Sequence, residues 1–231
     1  VTAVTTPTND NTPNYTFTSD EAGTITYGGS CSSSTTSATT GNNTITLVSL
    51  SEGTYSNCTI TVTDSSGNVS NTITLTSFIV DLTAATLVEV TAVTTPDNDT
   101  TPDYTFSSSE SGTITYGGSC SSSTTSATTD NNTITLVSLS EGTYSDCTIT
   151  VTDTSSNSVT LNISSFVIDT TAPTIAEVTV VTTPNTGTTP NYTFSSDEAG
   201  TITYGGSCSS STTSAISGNN TITLVSLSIG T

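Results

Sequence analysis

Residues 1–7 read VTAVTTP, residues 90–96 read VTAVTTP again, and residues 178–184 read VTVVTTP. Around these anchors the whole chain nearly repeats itself, with spacings of 89 and then 88 residues. This period is too long for one turn of a solenoid, and it contains too many strand-like segments for one blade of a propeller. Each repeat is therefore expected to fold around its own core.

Within each repeat, apolar residues alternate with threonine, as in YTF at 15–17, TITYG at 24–28 and CTITVT at 58–63. Alternation of period two is typical of strands that bury one face. An acidic chain rich in serine and threonine could instead be disordered, but disorder would not keep this phase. In the first repeat the pattern predicts strands A, B, C, E, F and G at 1–6, 15–19, 24–28, 44–50, 57–64 and 69–80. The inward residues are expected to be Tyr15, Phe17, Ile25, Tyr27, Ile45, Leu47, Ile60, Val62, Ile73 and Leu75.

A module of this length with about seven short strands has the size of an immunoglobulin-like β-sandwich. The fold class predicted is all-β, with tandem immunoglobulin-like modules at 1–82, 83–171 and 172–231. Only a few residues separate the last core position of one module from the first strand of the next. Such short linkers favour a semi-rigid, end-to-end rod.

Five cysteines occur, and within a repeat they are 27 residues apart. Cys31 is in phase with the inward residues of strand C, and Cys58 with those of strand F. Because C and F are antiparallel neighbours in an immunoglobulin-like sheet, these ends meet, and disulfides are predicted for Cys31–Cys58 and Cys120–Cys147. A closed zinc site would need more ligands than two thiols in a chain without histidine. Disulfides imply an oxidising location outside the cytoplasm.

The third module reaches residue 231 before the positions of strands F and G, so Cys208 has no partner in the sequence. A sandwich without these strands would expose apolar surface and unpaired backbone. Two explanations are open. Either the polypeptide continues, with a partner for Cys208 about 27 residues further on, or a neighbouring subunit donates a strand.

The chain contains 19 Asp and Glu residues, no Lys, Arg or His, and a formal net charge of −19. Without cationic side chains it cannot neutralise phosphates, which argues against binding to nucleic acid or to anionic membrane surfaces. Catalysis is not expected either. Asp20 and Glu21 could form a carboxylate pair, but they are adjacent in sequence and Ser109 takes the first position in the next repeat.

Three motifs carry a resemblance to a known class of protein: SDEAGTITYGGSC at 19–31, LSEGTYSNCTITVTDSSGNVS at 50–70 and FVIDTTAPT at 166–174. Together they resemble the tandem immunoglobulin-like repeats of very large bacterial surface and biofilm proteins. That resemblance implies a stalk that holds a binding tip away from the cell, and an extracellular location. It implies as partners further repeats of the same chain or other copies of it.

The resemblance also implies calcium between modules. Strand G of one module would end near the B–C and F–G turns of the next. Asp81 is then expected to approach Glu110 and Asp153, and Asp169 to approach Asp197 and Glu198, with Asp20, Glu21 and Asp64 as the equivalent half-site of the first module. The alternative is ordinary turn chemistry, because aspartate and asparagine favour such turns by bonding their own backbone.

Two functions are open at this point. The first is a structural segment of an adhesin stalk or surface filament, which near-identical modules favour because a dedicated binding site normally makes one copy differ. The second is an immunoglobulin-like module that binds a glycan or a surface. Binding loops of such sandwiches cluster at the B–C and F–G turns, and these turns are short here and nearly the same in each repeat.

Overall fold

The computed structural model describes residues 1–227, which form β-strands joined by turns, without a helix. The predicted all-β class is confirmed. The last four residues of the predicted third module, 228–231, lie outside the described part of the chain. Over residues 1–227, nothing helical is long and apolar enough to cross a bilayer.

The chain divides into two compact units, residues 1–169 and the part that begins at Thr170. The first unit contains two separate hydrophobic cores, one formed between Val4 and Val80 and the other between Val93 and Ile168. These cores follow the first and second sequence repeats. The module boundaries predicted from sequence stay a prediction.

The strands of the first repeat form three small sheets, ordered β1-β4, β3-β2-β6-β7 and β5-β8. Their bounds are β1 Asn14–Ser19, β2 Gly23–Gly28, β3 Ser37–Ala38, β4 Gly41–Thr46, β5 Gly53–Tyr55, β6 Thr59–Thr63, β7 Ile73–Thr74 and β8 Phe78–Val80.

The second repeat has the same arrangement with one more strand, in sheets ordered β13-β10-β9, β12-β11-β15-β16 and β14-β17. Their bounds are β9 Leu87–Thr91, β10 Asp103–Ser108, β11 Gly112–Gly117, β12 Ser126–Ala127, β13 Asp130–Thr135, β14 Gly142–Tyr144, β15 Thr148–Thr152, β16 Ser158–Asn162 and β17 Phe166–Ile168.

The described part of the third repeat forms two sheets, ordered β18-β19-β22 and β20-β21. Their bounds are β18 Ile175–Thr179, β19 Asn191–Ser196, β20 Gly200–Thr201, β21 Ser214–Ala215 and β22 Gly218–Thr223.

Alternation of apolar residues with threonine produces the core, as predicted. Eight of the ten inward residues named for the first repeat are buried, and the other two, Tyr27 and Ile73, are partly buried against the same core. The threonines between them stay at the surface, where β-branching favours extended backbone.

The last strand of the first repeat differs from its prediction. In the first repeat the segment at 69–80 was expected to be one strand, but it forms β7 and β8, which pair with different partners. Leu75 and Phe78 are both buried although they are three residues apart. Since period two would place them on opposite faces, the backbone must bend between them. The predicted strand at 1–6 is reduced to a single bridge, Thr2 to Thr16.

Two disulfides join neighbouring strands, Cys31 to Cys58 and Cys120 to Cys147, and these are the pairs predicted from sequence. Strands β2 and β6 are antiparallel, with Gly28 opposite Thr59, so the cysteines just beyond these ends face each other with a Cα–Cα distance of 5.2 Å. In the chain-entropy description, closing a loop of 27 residues stabilises a repeat by about 3.5 kcal/mol. Cys208 is a free, exposed thiol.

Asp130, at the start of β13, has an unusual backbone conformation that a substitution can test. It has a φ of 76°, in the left-handed region, whereas the equivalent residues Gly41 and Gly218 have φ values of 101° and 104°. Asp130→Gly is expected to raise the stability of the second repeat by about 0.5–1 kcal/mol, because glycine adopts this conformation without steric cost. The measurement is urea unfolding of the whole chain.

The reciprocal variant, Gly41→Asp, should lower the stability of the first repeat by a similar amount. If Asp130→Gly left stability unchanged or lowered it, the backbone conformation assigned to Asp130 would be wrong.

Candidate metal centre between the first and second repeats

Three carboxylates meet where the first repeat passes into the second: Asp81, Glu110 and Asp153. We call them the junction cluster. One carboxylate oxygen from each lies within 4.8 Å of the others, and all three side chains are half-buried. Over residues 1–227 no other three Asp, Glu, Cys or His side chains meet this condition. Sequence reasoning predicted that these three residues would approach one another.

Asp81 is placed by the end of the first repeat. It directly follows β8, and its backbone N–H donates to the carbonyl of Thr8 at 2.9 Å. Two side chains of the second repeat then bind it. The Ser155 hydroxyl donates to Asp81 Oδ2 at 2.8 Å, and Asn157 Nδ2 donates to the Asp81 carbonyl at 2.9 Å.

Asp153 directly follows β15 and organises the next turn. Its Oδ1 accepts the backbone N–H groups of Ser155 at 2.7 Å and Asn157 at 2.9 Å, and its Oδ2 accepts Asn157 Nδ2 at 2.9 Å. This is the local turn chemistry that aspartate favours. Asn157 therefore connects the turn of the second repeat to the last residues of the first.

Glu110 lies in the turn between β10 and β11, where its carbonyl accepts the Ser108 hydroxyl at 2.6 Å. Burial raises the pKa of its carboxyl above the ordinary value, and the negative charges of Asp81, Asp153 and Glu52 raise it further. Burial and the neighbouring negative charges thus favour the protonated, neutral form of the Glu110 carboxyl.

Four residues of this junction were missed by sequence reasoning: Glu52, Asn9, Ser155 and Asn157. Asn9 Nδ2 donates to the carbonyl of Ser156 at 3.1 Å, and the Thr83 hydroxyl donates to Glu52 Oε2 at 2.5 Å. Their turns carried a signal, because SEGT at 51–54 and DTSSN at 153–157 are short polar turns. The turn at 153–157 was expected beside Asp81 through Asp153, but nothing in the pattern showed that SEGT at 51–54 approaches the next repeat.

The half-site predicted for the first repeat, Asp20, Glu21 and Asp64, does not form a group like the junction cluster within residues 1–227. Asp64 repeats the local bonding of Asp153. Its Oδ1 accepts the backbone N–H groups of Ser66 and Asn68, and its Oδ2 accepts Asn68 Nδ2, each at 2.8 Å. Hydrogen bonds lower the pKa of Asp64, and the one from the Asn68 side chain contributes most.

In the unit that begins at Thr170, Asp197 accepts the backbone N–H of Thr174 at 2.7 Å. This hydrogen bond is the main cause of a lowered pKa for Asp197. The carbonyl of Glu198 accepts the Ser196 hydroxyl at 2.7 Å. The expected approach of Asp169 to Asp197 and Glu198 stays a prediction.

The oxygen-only composition of the junction cluster suits a hard cation such as Ca²⁺, which takes carboxylate and carbonyl oxygens. No protein-family model matches this chain, and no curated protein matches it either. The suitability of the junction cluster for a cation is therefore judged from the geometry of its three carboxylates alone.

Glu110→Gln tests the repulsion within the cluster. In chelator and low salt at neutral pH, this variant is expected to be more stable than the native chain by on the order of 0.5 kcal/mol, because glutamine removes a charge that its neighbours disfavour. The matched control is Glu21→Gln, the equivalent change in the first repeat, which should have a smaller effect. Thermal unfolding of the whole chain measures both.

The pH dependence has a defined sign. Because the folded pKa of Glu110 is raised, the native state binds this proton more tightly than the unfolded chain, and its contribution to stability falls as pH rises through that raised pKa. The native chain and Glu110→Gln should therefore converge as pH is lowered through it. A constant difference at all pH values would contradict the electrostatic explanation.

Proposed function

We propose that this chain is a structural segment of an extracellular protein, the stalk of an adhesin or the body of a surface filament. It is built from tandem immunoglobulin-like β-sandwich modules, each with one internal disulfide, and it has no catalytic role. The observation that carries the proposal is the direct bonding at the first junction, where Ser155 and Asn157 of one repeat bind Asp81 of the preceding one. Such bonds resist bending between modules.

Duplication of the repeats is the second support. Equivalent strand pairs carry the same hydrogen bond between threonine hydroxyls, at 2.8–2.9 Å in each repeat: Thr16 with Thr44, Thr105 with Thr133 and Thr193 with Thr221. A dedicated ligand site would normally make one copy differ. Uniform modules suit a protein whose task is length and stiffness.

The disulfide-bonded cysteines indicate part of the answer to where the protein is located. Two buried disulfides indicate a protein outside the cytoplasm, where oxidising conditions keep them formed. The extracellular surface is our proposal within that range. It agrees with a chain of net charge −19, which stays soluble and repels its own copies unless cations are present.

The proposal includes calcium at the junction cluster. The chain has no cationic side chain to balance three half-buried carboxylates, so a cation from solution would relieve their repulsion. An affinity of the order found in extracellular calcium modules, about 10⁻⁴ to 10⁻³ M, is expected for so few carboxylates.

Calcium is therefore expected to raise the unfolding temperature of the native chain. At ten times this Kd, which is about 1–10 mM calcium, the gain in the free energy of unfolding is about 1.4 kcal/mol. Glu110→Gln should lose most of this gain, whereas Glu21→Gln should keep it. The measurement is thermal unfolding in chelator and in millimolar calcium, with magnesium as a second ion. An equal response of both variants, or no response of the native chain, would refute the site.

The stalk function is tested by particle shape. A compact globule of this length has a radius of gyration of roughly 17 Å. An end-to-end array should clearly exceed this value in small-angle scattering and look elongated in electron micrographs of native material.

A glycan array on the same chain tests the other function. Saturable binding to a defined glycan would count against a purely structural role.

A further inference from the structure

Glu89 is held by hydrogen bonds from two other segments of the second repeat. It lies in the middle of strand β9 and is half-buried. Its Oε2 accepts the Tyr104 hydroxyl and the Ser164 backbone N–H, each at 3.0 Å, and its Oε1 accepts the Ser164 hydroxyl at 2.7 Å. Tyr104 is a buried residue of β10, whereas Ser164 lies between β16 and β17. One carboxylate therefore ties β9 to two segments that are distant in sequence.

Strand β9 has few other contacts that hold it in place. Among the strands of residues 1–227 it pairs with β10 alone, and the register breaks between Thr105 and Phe106. None of its side chains is fully buried: Leu87 is partly buried against the core, and Val88 and Val90 are 59 % and 48 % exposed. Segments with few buried apolar contacts open locally at a small cost in free energy.

The chain on either side of β9 is anchored. Ala85 precedes the strand and Val93 follows it, and both side chains are buried. Beyond Val93 the chain is fixed to β17. The Thr95 hydroxyl accepts the Val167 N–H at 3.0 Å, and the Asp97 N–H donates to the Val167 carbonyl at 2.9 Å. An opening that begins in β9 would therefore stop at Val93.

We propose that β9 is a releasable strap, which detaches from β10 while the core of the second repeat stays folded, and that the Glu89 carboxylate is the latch that holds it closed. The contact between carboxylate and tyrosine recurs 88 residues further on, between Glu177 and Tyr192. This part of the latch therefore belongs to the repeat.

The latch requires the charged form of Glu89. An ionised carboxylate only accepts hydrogen bonds, and Tyr104 and Ser164 supply donors to both of its oxygens. A protonated carboxyl would add one more donor to a group of donors. Of the strands beside β9, β16 has no titratable residue, and β10 has Asp103 and Tyr104. Asp103 is exposed and accepts the Thr135 hydroxyl at 2.6 Å.

Acid should therefore open the strap. In the closed state burial acts to raise the pKa of Glu89, but the hydrogen bonds from Ser164 and Tyr104 outweigh burial and the pKa is lowered. In the open state the carboxyl is in solvent and has its ordinary pKa. The closed state is thus fully favoured above the ordinary value, and this preference is lost as pH falls through the lowered one.

Opening changes the linker between the first and second repeats. The junction keeps the bonds from Ser155 and Asn157 to Asp81, but the segment between Ala85 and Val93 becomes flexible. This consequence for stiffness rests on the stalk function proposed above, whereas the opening of β9 does not.

Hydrogen exchange of the whole 231-residue chain tests the strap. At neutral pH the hydrogen-bonded amides of β9 should exchange faster than those of the core strands β11 and β15, because they open without global unfolding. Glu89→Gln replaces one acceptor oxygen by a donor and should accelerate exchange of β9 at least about tenfold, with β11 and β15 unchanged. The matched control is Glu21→Gln, an exposed carboxylate of the first repeat, which should change neither.

The donors and the pH provide two further tests. Tyr104→Phe and Ser164→Ala each remove one hydroxyl donor, so each should accelerate exchange of β9 by a smaller factor than Glu89→Gln. Ser165→Ala, at the neighbouring exposed position, is the control. In the native chain, lowering the pH through the lowered pKa of Glu89 should accelerate exchange of β9 relative to that of β11 and β15. This relative acceleration should be absent in Glu89→Gln.

Three results would overturn the proposal. The first is exchange of β9 as slow as that of β11 and β15 in the native chain, which would mean that β9 opens only by global unfolding. The second is equal acceleration of all three strands by Glu89→Gln, which would mean that Glu89 stabilises the whole repeat. The third is the same relative pH response in the native chain and in Glu89→Gln. If local opening is found but scattering shows a compact particle, the strap is supported and only the stalk function fails.

Discussion

The structure depends on one electrostatic constraint: the chain has 19 carboxylates and no cationic side chain. Each carboxylate must therefore be stabilised by neutral donors, by solvent or by ions from outside. Glu89 illustrates the first solution. Burial acts to raise its pKa, but hydrogen bonds from the Ser164 N–H, the Ser164 hydroxyl and Tyr104 outweigh it, so the pKa is lowered. Serine, threonine and asparagine supply the donors that lysine and arginine supply elsewhere.

The same constraint explains why the junction cluster differs from the other acidic turns. Asp64 and Asp153 have the same local donors, a backbone turn and an asparagine side chain. Only Asp153 also has Asp81 and Glu110 nearby. Neutral donors satisfy lone pairs without cancelling net charge, so three carboxylates together remain unbalanced. A negative charge that local donors satisfy within one repeat becomes part of a cluster of three carboxylates where two repeats meet.

The sequence predicted what depends on period and repetition. Alternation identified the core, and the repeat with its cysteine spacing identified the antiparallel pair β2 and β6 and the disulfide beside it. It did not predict features that depend on contacts distant in sequence. Tyr104 bonds Glu89, and Ser164 reaches the same carboxylate from 75 residues away. The bend between Leu75 and Phe78 could have been found, since their spacing breaks period two.

Near-identical repeats can differ in the properties of their side chains because the neighbouring repeats differ. Glu21 and Glu110 occupy equivalent turns, and both follow a β-strand of the same type. Their surroundings differ because residues of the preceding repeat lie beside Glu110, whose pKa is raised partly by Asp81 and Glu52. The property belongs to the contact between two copies and not to either copy. The acidic residues of this junction are therefore set by the linker that supplies Asp81 and by the two turns that supply Glu110 and Asp153.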